Sequence, residues 1–210
     1  MKRGELLKSK ALKKGFSVFI IIVSFICIIL YLYIFYRNKM KSNNLLNKVN
    51  SIVNQNIVYS NNQDVVKNSE QEIFSVEKLY EDNNLIGKIM IPKINIEAPI
   101  KEGTSQEILK EAVGHFSFTN YWNGNVCLAS HNRGSYAHYF SKLNRLKNGD
   151  EIIYQTKLGT RIYKVSQIKE ISEQDVSVLS ETSENTITLI TCITNKQNER
   201  LCVKAIEKSF

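Results

Sequence analysis

The fold and the chemistry expected of this chain follow from one stretch, Thr188-Leu189-Ile190-Thr191-Cys192. It ends an apolar, β-branched run, and a polar segment (residues 194–199) and a second apolar run (residues 201–206) come after it. This pattern predicts a strand, a loop and a returning strand, with Cys192 at the end of the first strand and Arg200 at the start of the second. A thiol, a cation and an imidazole are parts of an acyl-transfer site, and His131 is the candidate imidazole.

The four cysteines differ in their sequence surroundings. Cys27 lies in a long apolar run, while Cys127 and Cys202 lie inside strand-like segments, where thiols are usually buried and inert. Cys192 stands at a boundary between an apolar strand and a polar loop, so we expect it to be the reactive thiol. Two alternatives stay open: Cys127 pairs with Cys202, or Cys192 is a core residue.

The three histidines are also separated by their positions. His131 ends a predicted strand and enters a polar loop, which suits proton transfer. We expect packing or surface roles for His115 and His138, and the alternative role for Arg200 is a solvated charge. Because the spacings typical of zinc sites, calcium loops, phosphate loops and serine-nucleophile turns are missing from the sequence, we expect no metal and no cofactor.

The basic charge is confined to one end of the chain. The formal net charge is +8, with 28 basic and 20 acidic residues, and residues 1–41 hold nine of the basic residues and one acidic residue. The remaining chain therefore has 19 residues of each sign. A neutral globular part lacks the electrostatic footprint of a nucleic-acid-binding protein, so we expect the membrane, and not nucleic acid, to be the partner of the basic segment.

A membrane anchor is predicted at residues 15–36. These 22 residues carry no charge, and at ~1.5 Å per residue they span roughly 33 Å, enough to cross a bilayer core. The run is longer than the apolar part of a signal peptide and ends in aromatic residues, without a small-residue cleavage site. Six basic residues precede it, so we expect residues 1–14 to be a cytoplasmic tail and the globular part to be extracellular.

Residues 37–84 are interpreted as a solvated, partly helical stalk. They contain twelve Asn and neither Pro nor Gly, and such a composition cannot bury a core. The folded domain then occupies residues 85–210. It has about eight short strand patterns and one or two short helices, which predicts an all-β barrel or sandwich.

Three of these patterns have predicted ends. Residues 94–98 are predicted to form a strand that is stopped by Pro99, and residues 160–168 form another predicted strand. A capping box that begins at Thr104 predicts a short helix that ends near Gly114.

The folded domain, residues 85–210, resembles the sortases, the membrane-anchored cysteine transpeptidases of Gram-positive bacteria. The stretch ending in Cys192 matches the family's TLxTC signature, and Arg200 and His131 stand where the family has its arginine and histidine. Ser130 departs from the pattern, because the family often has Gly before the histidine. The other matching segments are Ile86-Gly87-Lys88-Ile89-Met90-Ile91-Pro92-Lys93-Ile94, Glu111-Ala112-Val113-Gly114-His115-Phe116 and Leu128-Ala129-Ser130-His131-Asn132-Arg133.

The resemblance implies an eight-stranded sortase-type β-barrel and a set of residue roles. Cys192 would be the nucleophile that attacks an LPxTG-like sorting signal, His131 the general acid and base, and Arg200 the group that stabilises the oxyanion or the substrate. Thr191 and Ser130 would contact the substrate. The partners implied are the sorting-signal peptide of a surface protein and a peptidoglycan-precursor amine, and hydrolysis would be a side reaction.

The sequence also indicates a sortase subclass and leaves two rival functions open. Residues 37–84 lack the Asp-Pro-aromatic lid motif of pilin-polymerising sortases, no second apolar span follows, and residues 169–184 leave little room for a class B helical insertion. A housekeeping-like or class D-like enzyme is therefore expected. Two rival functions are a non-catalytic, membrane-tethered binding or assembly module and a secreted cysteine protease.

Overall fold

Eight strands close into one barrel in the structure, a computed structural model that describes residues 2–61, 84–134 and 137–208. Neighbouring strands follow the order β1-β2-β3-β4-β7-β8-β6-β5, and β5 pairs with β1 to close the barrel. This confirms the predicted all-β barrel. The strands are β1 (Leu85–Ile91), β2 (Ile96–Glu102), β3 (Val113–His115), β4 (Asn125–Ala129), β5 (Glu151–Thr156), β6 (Gly159–Ser172), β7 (Thr186–Ile193) and β8 (Lys196–Glu207).

The described helices are few and mostly short, apart from one at the start of the chain. They are α1 (Lys2–Asn61) and α2 (Gln106–Leu109), with 3₁₀ helices at Pro92–Ile94, Tyr139–Arg145 and Val176–Leu179. The hydroxyl of Ser105 caps α2 by accepting a hydrogen bond from the N–H of Ile108. We expected a capping box at Thr104 and a helix reaching Gly114, but α2 is only one turn long because β3 already begins at Val113.

Alternating side chains build the barrel core. In β5, Ile152, Tyr154 and Thr156 are buried while the residues between them are partly or fully exposed, as expected for a strand with one face toward a core. In β7, Thr186–Leu189 are buried on both faces. This strand lies between β4 and β8, so its apolar run marks the middle of the sheet and leads directly to Cys192.

Strand β2 corrects one prediction. The sequence placed a strand at residues 94–98 that stopped at Pro99, whereas β2 runs from Ile96 to Glu102 and contains this proline. β3 pairs with β2 only from Ile100 onward, so at Pro99 the strand has one paired neighbour, β1. A proline is tolerated where a strand has a free edge, since its missing N–H then breaks no second ladder.

The chain divides into two units after Met40. In the first, α1 continues through the predicted anchor, and every residue from Phe19 to Tyr36 is exposed. By length and composition, the stretch Phe19–Ser51 of α1 is able to cross a membrane, and its last turns, from Lys41, belong to the second unit. A helix that is apolar all round and unburied is typical of a segment whose solvent is lipid.

The last turns of α1 correct the prediction of a fully solvated stalk. Val49 and Val53 are buried in a cluster with Leu85 of β1. Nearby, the ammonium of Lys88 donates to the side-chain oxygen of Asn50 at 2.7 Å, and the hydroxyls of Ser42 and Tyr139 are also 2.7 Å apart. The part of the predicted stalk from Lys41 to Val53 therefore packs on the barrel, while residues 62–83 lie outside the described residues.

Candidate active site

Cys192 lies at the end of β7, directly opposite Arg200 of β8. Side chains at directly opposed positions of paired strands have Cβ atoms about 4.5–5.5 Å apart. The pairing is irregular immediately after Cys192, because Ile193 is next paired with Lys196. Such bulges turn side chains out of the regular pleat and are common beside active sites, and Cys192 is exposed while Thr191 is buried.

The polar segment after Cys192 differs from its prediction. Residues 194–199 were expected to form a loop, but β8 begins at Lys196, and the turn is made at Thr194 and Asn195. Asn195 has a φ of 65°, the left-handed conformation that asparagine tolerates better than most residues. Arg200 is therefore held inside a strand, which restricts its backbone more than a loop would.

His131 follows β4, which pairs in parallel with β7, the strand that carries Cys192. Ala129 is opposite Ile190, and the contacts continue beyond the end of β4. The N–H of Ser130 donates to Ile190 O at 3.3 Å, and the side-chain amide of Asn132 donates to Cys192 O at 2.5 Å. Both chain neighbours of His131 are thus bonded to the segment of β7 that carries the thiol.

A cleft of about 320 Å³ opens at the thiol. Cys192 and Thr191 contribute to its wall, whereas His131 and Arg200 do not. The remaining lining residues are Asn132, Phe140, Ser141, Asn144, Glu170, Ile193, Thr194 and Leu201. The wall combines apolar side chains, amides, hydroxyls and one carboxylate, a mixture typical of ligand-binding clefts.

The guanidinium of Arg200 already has hydrogen-bond partners. Nη1 donates to the backbone oxygens of Gln197 and Glu199, each at 3.0 Å, and Nη2 donates to the carboxylate of Glu173 at 2.7 Å. Its side chain remains 25% exposed. Arg200 therefore lies opposite Cys192 in the strand pairing, with its guanidinium bonded to the protein at three points and still partly exposed.

The other two barrel thiols are buried. Cys127 and Cys202 are 0% and 1% exposed, and both are free, so the disulfide considered as an alternative is absent from the described residues. Burial raises the pKa of Cys127 to about 12 and also raises the pKa of Cys202. Both thiols therefore stay protonated near neutral pH, and the prediction that they are buried strand residues is confirmed.

Three of the four remaining candidate residues, His115, His138, Thr191 and Ser130, are buried. His115 is fully buried, with Nδ1 2.8 Å from the carboxylate of Glu102, which fits the packing role expected for it; His138 is exposed. The hydroxyl of Thr191 donates to Ser130 O at 2.7 Å, so in this state its hydrogen bond is internal. Ser130 is 4% exposed, and its hydroxyl has no partner among the described residues.

Three residues at the site were not found from the sequence: Asn132, Glu170 and Glu173. Glu170 and Glu173 lie beyond residue 168, where the strand was predicted to end, and an ion pair between residues 27 positions apart leaves no local pattern. Asn132 was seen only as part of a polar loop. In the described ranges, no three His, Cys, Asp or Glu side chains converge to hold a metal ion.

Comparison with known proteins places this geometry among related folds. The family model of the sortase domain matches residues 89–208. Sortase A of Bacillus anthracis is 31% identical over 122 residues, 58% of this chain and 58% of that protein. Sortase D of Bacillus subtilis (strain 168) is 31% identical over 96 residues, 45% of this chain and 46% of that protein. This chain thus spans about half the length of the curated relatives it matches.

Solved structures agree with the barrel. Sortase C1 from Streptococcus agalactiae aligns with a TM-score of 0.59 at 29% identity, covering 63% of this chain and 72% of that one. Sortase A from Listeria monocytogenes aligns with a TM-score of 0.55 at 27% identity, covering 60% and 89% of the two chains. Each of these alignments covers more than half of this chain.

Proposed function

This chain belongs to the sortase family, and from that premise we propose that it is a membrane-anchored cysteine transpeptidase. Its substrate would be the LPxTG-like sorting signal of a surface protein, and its second substrate an amine of a peptidoglycan precursor. One observation supports this most: Cys192, the exposed thiol of the barrel, borders a cleft, has Arg200 opposite it and has the His131 segment bonded to its own strand.

The first half of the reaction forms a thioester. The thiol of Cys192 gives its proton to His131, its sulfur attacks the carbonyl carbon of the scissile Thr-Gly type bond, and the guanidinium of Arg200 stabilises the oxyanion that develops. The C–N bond then breaks as His131 gives a proton to the departing amine. The N-terminal part of the substrate remains bound to sulfur, and the C-terminal fragment leaves.

The second half transfers the acyl group. His131 takes a proton from the incoming amine, whose nitrogen attacks the thioester carbon. The C–S bond breaks, His131 returns the proton to the sulfur of Cys192, and a new amide joins the surface protein to the wall precursor. Water in place of the amine gives hydrolysis as a side reaction. All of these steps use side chains of the chain itself, and no cofactor takes part.

The anchor and the subclass complete the proposal. Six basic residues before the apolar part of α1 favour a cytoplasmic N-terminus, with the barrel outside the cell. A housekeeping-like or class D-like enzyme is supported by the relatives named sortase A and sortase D. It is also supported by the β6–β7 connection, which holds a four-residue 3₁₀ helix where a class B enzyme would have a long helical insertion.

The test incubates the full chain, in detergent micelles, with an LPxTG-type peptide and an amine acceptor. We expect a peptide–amine product that is lost in Cys192→Ala and kept in the matched control Cys202→Ala. Full turnover in Cys192→Ala would overturn the site. Peptide binding without cleavage would favour the non-catalytic module, and hydrolysis that predominates despite abundant amine would favour a cysteine protease.

A further inference from the structure

The guanidinium of Arg200 is held from two directions. Two of its hydrogen bonds go to Gln197 O and Glu199 O, backbone atoms of its own strand, β8. These acceptors move together with the arginine and cannot fix it relative to another element. The third bond runs from Nη2 to the carboxylate of Glu173. Among the described residues, it is the bond that joins the guanidinium to another part of the chain.

Glu173 presents its carboxylate from a fixed backbone. It directly follows β6, whose last residue, Ser172, is paired with Glu199 of β8. The N–H of Glu173 donates to Asn198 O at 2.9 Å, which continues the ladder by one bond. The backbone of Glu173 is therefore bonded to β8, the strand that carries Arg200.

The neighbouring carboxylates are otherwise engaged. The ammonium of Lys196 contacts both Glu170 and Glu199, at 3.0 Å for Glu199. Glu173 is thus the carboxylate that pairs with the guanidinium. The pair is partly exposed, 25% on the arginine and 39% on the glutamate, and ion pairs of this kind contribute little to folding stability. The effect of this pair is therefore expected in the orientation of the guanidinium and not in folding stability.

We propose that Glu173 is a positioning residue for the transpeptidase reaction, which holds the Arg200 guanidinium in the orientation that serves the substrate at Cys192. This rests on the proposed function. A guanidinium has five N–H donors in a rigid fork, and the three bonds to the protein leave Nε–H and one Nη2 hydrogen for a substrate carbonyl or oxyanion. A long, unrestrained arginine would have to be ordered in each transition state, and Glu173 removes that cost beforehand.

The kinetic test uses two substitutions that separate orientation from charge. Glu173→Ala removes the acceptor, whereas Glu173→Gln removes the charge and keeps an acceptor oxygen. Measured on the full chain in micelles, we expect kcat to fall about tenfold in Glu173→Ala with KM nearly unchanged, and to recover to within about threefold in Glu173→Gln. Glu181→Ala, at an exposed glutamate of the same connection, is the matched control and should keep the wild-type kcat.

Three kinetic outcomes would overturn the proposal. The first is a Glu173→Ala enzyme as fast as wild type. The second is a faster one, which would make the carboxylate a brake on the cation. The third is an equal loss in Glu173→Ala and Glu173→Gln together with a lower melting temperature, which would make the residue structural.

A second measurement reads the ion pair without any activity. NMR of ¹⁵N-arginine-labelled full chain follows rotation about the Cζ–Nη bonds, with the Arg200 signals assigned from Arg200→Lys. We expect slow rotation in the wild type and in Glu181→Ala, and faster rotation in Glu173→Ala. Equal rotation in all of them overturns the positioning role, even in an active enzyme. If instead the wild type forms no product with any peptide, the proposed function fails while this measurement still decides whether Glu173 orients Arg200.

Discussion

The three cysteines of the barrel differ in exposure because their strands place them differently. Cys127 and Cys202 point into protein, where desolvation disfavours the thiolate, while Cys192 is exposed beside a cleft. The sequence could separate them because the two buried thiols have apolar neighbours on both sides and Cys192 has a polar segment on one side. What local sequence could not reveal was Glu173, since its partner Arg200 is distant along the chain.

Alkylation should distinguish the three barrel thiols. Because the pKa of Cys127 is raised to about 12, and that of Cys202 is also raised, both remain thiols at pH 8, and only the thiolate reacts readily. We expect iodoacetamide to modify Cys192 in the folded full chain, as mapped by peptide mass spectrometry, and to modify all three thiols in guanidinium chloride. Labelling of Cys127 at the rate of Cys192 in the native protein would contradict the burial described above.

At the level of single strands, two predictions made from local composition were wrong. Residues 196–199 are polar and were interpreted as loop, but strand pairing needs only the backbone. Lys196 pairs with β7 and Glu199 with β6, while residues 196–198 are exposed to solvent. Pro99 was interpreted as a strand end, but β2 has a free edge there. Both errors arise because strand pairing is decided by distant partners that a local pattern does not contain.

The helix that follows the anchor tests packing at this scale. Val49→Ala removes two buried carbon atoms and should lower the free energy of unfolding by about 1–2 kcal/mol. Asn47→Ala, at an exposed position of the same helix, should change it by less than about 0.5 kcal/mol. The fluorescence of Trp122, the single tryptophan, reports on the barrel during denaturant unfolding of the full chain in micelles. Equal midpoints for the two variants would mean that α1 does not pack on the barrel.

At the scale of the whole molecule, the barrel depends on its closure between β1 and β5. Gly87 is paired with Thr156 in this seam, and a Cβ atom at position 87 would lie 2.1 Å from the backbone oxygen of Gln155. The count of strands was predictable from the sequence, because each has its own pattern and turn. The order of strands around the barrel was not, since it depends on the parallel pairings of β2 with β3 and of β4 with β7.

Gly87→Ala should therefore weaken the closure. The clash is with backbone, which cannot rotate away as a side chain would, and we expect a loss of about 2–3 kcal/mol and a melting temperature lower by about 4–12 °C. Lys164→Ala, on the exposed face of β6, is the control and should melt close to the wild type. A Gly87→Ala protein that melts with the control would show that β1 and β5 are not this close.

At the same scale, we propose that one rim of the barrel presents the thiol of Cys192, the imidazole of His131 and the guanidinium of Arg200 to a single peptide carbonyl. The most direct test is the mass of the intact full chain after brief exposure to an LPxTG-type peptide without an amine acceptor. We predict a mass increase equal to the N-terminal part of the cleaved peptide, mapped to the fragment that contains Cys192, removed by hydroxylamine and absent in Cys192→Ala. Cleavage of the peptide with no adduct at Cys192, or with the adduct on another residue, would contradict the claim.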